Sequence, residues 1–137
     1  MGHFTGPLIA EQELSPIKVR KWYTLWLWKH NGIKETWVIH EPFSYIADNG
    51  DRVDVEKGYR TDFASTPQLA WSLGFSKDGP WAQPAVVHDK AYGEHLFPRH
   101  RCDEILYEAM GDTKIPTPDD KRKVIYEAVH RFGWMFY

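Results

Sequence analysis

The sequence predicts an α+β fold, with N-terminal antiparallel β-hairpins followed by about three helices packed on the sheet. Apolar side chains alternate with a period of two through much of the first half, which is typical of strands with one buried face. From residue 84 onward the apolar positions recur with a helical period instead. We therefore expect a single domain, 1–137, with a strand-rich part at 17–57, a loop at 58–83 and a helical part at 84–134.

The first predicted hairpin is centred on Asn31-Gly32. Both residues of this pair accept positive φ angles, which a two-residue type I′ turn requires. Counting outward from the turn places Trp26, in the predicted strand at 21–29, opposite Trp37.

A second Asn-Gly pair, Asn49-Gly50, predicts the next hairpin. A two-residue turn at this pair places Ile46 opposite Val53 and Ser44 opposite Val55.

Three helices follow the loop. The first is predicted over Ala85 to Tyr92 and ends at Gly93, and the second begins at Pro98 or Arg99. The second helix has an apolar face formed by Cys102, Ile105, Leu106, Ala109 and Met110.

The third helix has the clearest beginning. Thr117 is a favourable N-cap and Pro118 suits the first helical position, before Asp119 and Asp120 in the first turn. Its predicted buried stripe consists of Val124, Ile125, Ala128, Val129 and Phe132.

Composition and charge exclude several classes of protein. The 137 residues are 42% hydrophobic, which excludes a disordered chain. The 17 basic residues are balanced by 19 acidic ones, so we expect no basic groove that binds nucleic acid. No apolar run approaches the roughly 18 residues of a membrane span, so we expect no transmembrane segment. A single cysteine, Cys102, forms no internal disulfide, which favours a reducing cytoplasm.

The candidate site is His88-Asp89-x-x-Tyr92 together with Asp103 in the next helix. His88 and Tyr92 lie one helical turn apart on the same face, whereas Asp89 points elsewhere. A carboxylate such as Asp103 that accepts from one imidazole nitrogen leaves the other to take a proton from water. The alternative interpretation is a buried structural histidine satisfied by Asp103.

A divalent cation, calcium or zinc, is the predicted cofactor. Asp89 is one expected ligand, and Asp62, in the loop TDFASTP at 61–67, is the other. The alternative interpretation of Asp62 is an Asx turn in which its carboxylate accepts from nearby backbone amides.

Four sequence segments carry a family resemblance. The chain resembles a family of small phage and prophage proteins classed as a domain of unknown function. The segments that carry this resemblance are, in order, GYRTDFASTP, AVVHDKAYG, RHRCDEILYEAM and a last helix ending in RFGW. The His-Asp-x-x-Tyr arrangement with a later aspartate is also similar to calcium-dependent phospholipases. That resemblance implies that His88 activates water, that Asp89 holds calcium, and that Asp103 and Tyr92 orient His88.

Two functional hypotheses follow. One is a phage-derived hydrolase with His88 as the general base. The other is a non-enzymatic virion, tail-assembly or accessory protein, made in the bacterial host cytoplasm, that binds other phage structural proteins or a second copy of itself. The second hypothesis depends on a predicted contact surface of aromatic side chains, formed by Trp22, Trp26, Trp28 and Trp37.

Overall fold

The predicted α+β class, with strands before helices, is confirmed by the computed structural model, which describes residues 2–16, 33–61, 82–113 and 117–132. The strands are β1 (His3–Phe4), β2 (Ala10–Pro16), β3 (Ile33–Ile39), β4 (Phe43–Ile46), β5 (Arg52–Val55) and β6 (Arg60–Thr61). The helices are α1 (Ala82–Gly93), α2 (Arg99–Gly111) and α3 (Asp119–Phe132). Within these ranges, no helix is both long enough and apolar enough to cross a membrane.

The described strands form two antiparallel sheets, in the orders β1-β4-β5 and β2-β3-β6. Helix α1 packs against β5 and β6 on one side and against α2 on the other, and α2 also packs against α3. The strands start before the predicted boundary at residue 17. The sequence AEQELSP of β2 lacks the alternating apolar pattern of the later strands, so its pairing with β3 was not expected.

The predicted pairing of Trp26 with Trp37 is wrong. Gln12 lies opposite Trp37 on one edge of β3, and Thr61 lies opposite it on the other. A strand has only two hydrogen-bonding edges, and at this position both are used. The predicted strand at 21–29 and its Asn31-Gly32 turn lie outside the described residues.

The predicted register of the second hairpin is also wrong, by one residue. Val53 lies opposite Tyr45 rather than Ile46, and Val55 lies opposite Phe43 rather than Ser44. The side chains of Tyr45, Phe43, Val53 and Val55 are all buried in the core. A shift of one residue exchanges the two faces of a strand, so the observed register is the one that buries the aromatic residues.

The turn itself explains the shift. Gly50 has a φ of +95°, whereas Asn49 is not among the described residues with positive φ, so the type I′ conformation is not formed. Instead Gly50 N donates to Ala47 O (2.9 Å) and Ala47 N donates to Asp51 O (2.7 Å). These bonds close a three-residue loop, 48–50, whose glycine takes the left-handed position.

The apolar face predicted for α2 is confirmed, because Cys102, Ile105, Leu106, Ala109 and Met110 are all buried. The stripe predicted for α3 is correct for Ile125, Ala128 and Val129 and wrong for Val124, which is 44% exposed. The side chain of Phe132 lies outside the described residues.

The N-terminus of α3 also differs from the prediction. The first intrahelical bond runs from Arg122 N to Pro118 O, so Pro118 occupies the N-cap position and Thr117 precedes it. Thr117 Oγ1 is buried without a hydrogen-bond partner in the part of the chain that the structure describes.

Two neighbouring residues of α3 provide a test of this packing. We expect Ile125→Ala to lower the free energy of unfolding by about 2–5 kcal/mol, because Ile125 is fully buried and its truncation leaves a cavity. The matched variant Val124→Ala should change it by less than about 0.5 kcal/mol, since Val124 is exposed at the surface of α3. Urea denaturation followed by circular dichroism measures both. Equal losses in the two variants would contradict the observed orientation of α3.

Candidate functional site

Helix α1 carries the first two residues of the candidate site. The imidazole of His88 and the ring of Tyr92 lie one turn apart on the same face, with ring centroids separated by 4.1 Å and planes inclined by 39°. Pro84 is tolerated in the first turn of α1 because its missing N–H has no intrahelical partner there. Both site residues are buried, so this face of the helix points into the core.

Asp103 approaches this pair from α2. Its carboxylate Oδ1 lies 2.9 Å from His88 Nε2 and accepts a hydrogen bond of 2.6 Å from the hydroxyl of Tyr92. The His88 and Asp103 side chains are 0% exposed, and Tyr92 is 1% exposed. The structure therefore brings together the three predicted residues His88, Tyr92 and Asp103 in one buried cluster, which we call the Asp103 cluster.

The second carboxylate oxygen of Asp103 has different neighbours. Oδ2 has no hydrogen-bond partner among the described residues, but His130 Nδ1 lies 3.5 Å away and Arg99 Nη1 lies 4.0 Å away. Arg99 Nη1 also donates to the backbone carbonyl of His130 (2.7 Å), which joins α2 to α3. Sequence reasoning missed His130, because its approach to Asp103 depends on how α3 packs against α2.

Asp89 faces a different part of the molecule. Its Oδ2 accepts hydrogen bonds from Thr61 Oγ1 (2.6 Å) and from the hydroxyl of Tyr59 (3.2 Å). Asp62, the other predicted metal ligand, lies outside the described residues. Within the described ranges, no group of three or more His, Cys, Asp or Glu residues is arranged to hold a metal ion.

Burial sets the acidity of several groups around the site. Desolvation and the neighbouring Asp103 carboxylate raise the pKa of Tyr92 well above its ordinary value, so its hydroxyl remains a donor. Desolvation and Asp89 raise the pKa of Tyr59 in the same way. Burial also raises the pKa of the Cys102 thiol to about 11, which makes this thiol a poor nucleophile at neutral pH.

A cavity of about 490 Å³ lies elsewhere, between the β4–β5 loop and the helices. Its lining is mostly charged and includes Asp48, Asn49, Arg101, Glu108, Asp112 and Arg122. None of the three residues of the Asp103 cluster lines this cavity.

Comparison of the sequence with known proteins shows the family to which the chain belongs. The family model described as "Protein of unknown function (DUF1353)" matches residues 37–129, which include the end of β3, the strands β4 to β6 and all three residues of the Asp103 cluster. The chain belongs to the DUF1353 family. Its predicted membership of a family of unknown function is thereby confirmed.

Two curated proteins share part of this DUF1353 sequence. A Nostoc protein named "Putative diflavin flavoprotein A 2" is 35% identical over 78 residues, which are 55% of this chain and 13% of that protein. A Sinorhizobium fredii protein named "Uncharacterized protein y4jT" is 32% identical over 92 residues, which are 66% of this chain and 27% of that protein. The matched segments are thus minor parts of both relatives. No solved structure shows a significant match to the chain.

The raised pKa values of the tyrosines predict alkaline instability. In the unfolded chain Tyr59 and Tyr92 lose their protons near pH 10, whereas the folded chain retains them. The unfolded state therefore binds fewer protons above this pH, and the stability present below it should fall as the pH rises further. As the pH is raised, we expect the absorbance at 295 nm that reports ionisation of these two tyrosines to increase only when the circular dichroism signal of the fold is lost. Their ionisation while the fold remains intact would contradict the buried positions.

Proposed function

We propose that the chain is a hydrolase domain in which His88 is the general base and Asp103 and Tyr92 are its positioning residues. The observation that supports this proposal is the 2.9 Å contact between His88 Nε2 and Asp103 Oδ1. The same oxygen is fixed by the 2.6 Å hydrogen bond from Tyr92. A histidine oriented by a carboxylate is a recurrent arrangement of general bases.

The contact defines the direction of proton transfer. When Asp103 Oδ1 accepts a hydrogen bond from Nε2–H, the basic lone pair of the neutral ring is on Nδ1. Nδ1 then takes a proton from water as the water oxygen attacks a carbonyl or phosphoryl centre. Asp103 stabilises the imidazolium that forms, and the proton on Nδ1 passes to the leaving group when the substrate bond breaks.

We propose the divalent cation separately, because the proton transfer by His88 does not require it. Asp89 and Asp62 are the proposed ligands. Thr61 and Tyr59 support the role of Asp89 because they hold one of its carboxylate oxygens in a defined orientation. Carboxylate ligands favour calcium over zinc, since calcium prefers oxygen donors.

The second candidate function is non-enzymatic: a virion, tail-assembly or accessory protein of a phage or prophage, present in the host cytoplasm and in the virion. The observation that favours it is the complete burial of His88 and Asp103. A general base must reach water and substrate, whereas a structural cluster need not. Of the four tryptophans of the predicted contact surface, Trp37 is partly buried and packs against the core, and the other three lie outside the described residues.

A comparison of two histidine variants separates these candidates. Wild type is assayed against phospholipid vesicles, a 4-nitrophenyl ester and bis(4-nitrophenyl) phosphate, with and without calcium. If His88 is the base, His88→Gln should lower the rate by about 10²-fold or more, because the proton acceptor is lost. The control His100→Ala, at an exposed position of α2, should retain the wild-type rate.

The thermal midpoint of each variant is measured alongside activity. His88→Gln keeps a polar side chain of similar size, so a catalytic role predicts loss of activity in a folded protein. Wild type without activity on all three substrates would instead favour the non-enzymatic candidate. A His88→Gln variant as active as wild type would contradict the role of His88 as the general base.

Calcium binding is tested by isothermal titration calorimetry with calcium chloride alone. We expect Asp89→Asn to weaken calcium binding by about tenfold or more, because a charged oxygen ligand is replaced by a neutral one. Asp120→Asn, an exposed carboxylate in the first turn of α3, should bind calcium as wild type does. Wild type that releases no binding heat, or equal affinity in the two variants, would contradict the cation proposal.

A further inference from the structure

The two oxygens of the Asp103 carboxylate are used unequally. Oδ1 accepts from the Tyr92 hydroxyl and contacts His88 Nε2, whereas Oδ2 is buried without a hydrogen-bond partner in the described part of the chain. A carboxylate has lone pairs on both oxygens, so each of two donors could bind a different oxygen. An uncompensated buried oxygen carries a desolvation cost, so an additional interaction has to favour this orientation.

Arg99 and His130 provide that interaction. Arg99 Nη1 lies 4.0 Å from Oδ2 and His130 Nδ1 lies 3.5 Å from it. These distances exceed those of good hydrogen bonds, but a full charge on Arg99 still attracts the carboxylate where water is excluded. The Asp103 side chain is 0% exposed, whereas those of Arg99 and His130 are 29% and 44% exposed, so the two residues link the buried oxygen to the surface.

Both residues are themselves held in place. Arg99 and Asp103 are four residues apart on α2, which puts them on the same face. Arg99 also donates to the backbone carbonyl of His130 at 2.7 Å. The His130 ring stacks on Tyr126, with centroids 5.5 Å apart and planes inclined by 9°. The side chains are therefore fixed by contacts other than the one with Asp103.

We propose that Arg99 and His130 are positioning residues for His88 that act through Asp103. By attracting Oδ2, they turn Oδ1 towards both donors of α1. This inference extends the proposed function, because it identifies what keeps the general base aligned. Without the two residues the carboxylate can rotate and divide its oxygens between His88 and Tyr92, and the hydrogen bond at Nε2 becomes weaker and less well aligned.

The test measures that hydrogen bond directly. Nitrogen-15-labelled protein gives the chemical shift of the His88 Nε2 proton and its rate of exchange with water by NMR, without any substrate. We expect Arg99→Met or His130→Gln to move this proton resonance upfield and to accelerate its exchange by about tenfold, since a weaker bond opens more often. Arg99→Lys retains the charge and should restore most of the protection.

The control is Arg131→Met. It removes the same charge and keeps a side chain of similar length, but Arg131 pairs with Glu127 on the exposed face of α3. The control should leave the His88 resonance and its exchange rate unchanged. Amide spectra verify that each variant is folded. If either Arg99→Met or His130→Gln does not fold, the other variant alone is sufficient for the test.

The outcomes separate this inference from the proposed hydrolase. Unchanged exchange in both Arg99→Met and His130→Gln would overturn the positioning role, whatever the activity of wild type. Accelerated exchange in these variants, with protection restored in Arg99→Lys, supports the role even if His88→Gln shows that hydrolysis does not depend on His88. Acceleration of the same size in Arg131→Met would overturn it, because the effect would then belong to helix packing in general.

Discussion

The burial of the Asp103 carboxylate is the constraint on which the helical half depends. A carboxylate removed from water costs several kcal/mol unless donors and cations compensate it. Here the compensation comes from each of the helices that the structure describes: His88 and Tyr92 on α1, Arg99 on α2 and His130 on α3. The relative positions of the helices are therefore fixed by one charge as well as by apolar packing.

This arrangement also explains why the polar residues and the apolar core coexist. Cys102 and Ile105 flank Asp103 along α2, and both are fully buried. The same tight packing excludes water, and this strengthens every electrostatic interaction of the carboxylate. The pKa of Tyr92 is raised for this reason, which keeps its hydroxyl protonated as a donor to Asp103.

The sequence was informative where a contact follows from helical spacing. The positions of His88 and Tyr92 one turn apart, and of Asp103 one helix later, were sufficient to predict that they meet. The sequence is less informative where two conformations suit the same residues. Asn49-Gly50 is compatible with a two-residue turn and also with the three-residue loop that the structure shows. The exposure of Val124 and the approach of His130 depend on the rotation of α3 against α2, which no local pattern specifies.

The β4–β5 loop is joined to the same helix that carries Asp103. Arg101 donates to Asp51 (2.8 Å) and to Asn49 (3.0 Å), and the backbone of Asp48 donates to Glu108 (2.8 Å). Hairpin tips ordinarily accept insertions because nothing packs against them. Here an added residue would strain bonds to two residues of α2 that lie about two helical turns apart, so the length of this surface loop is constrained as tightly as that of a core element.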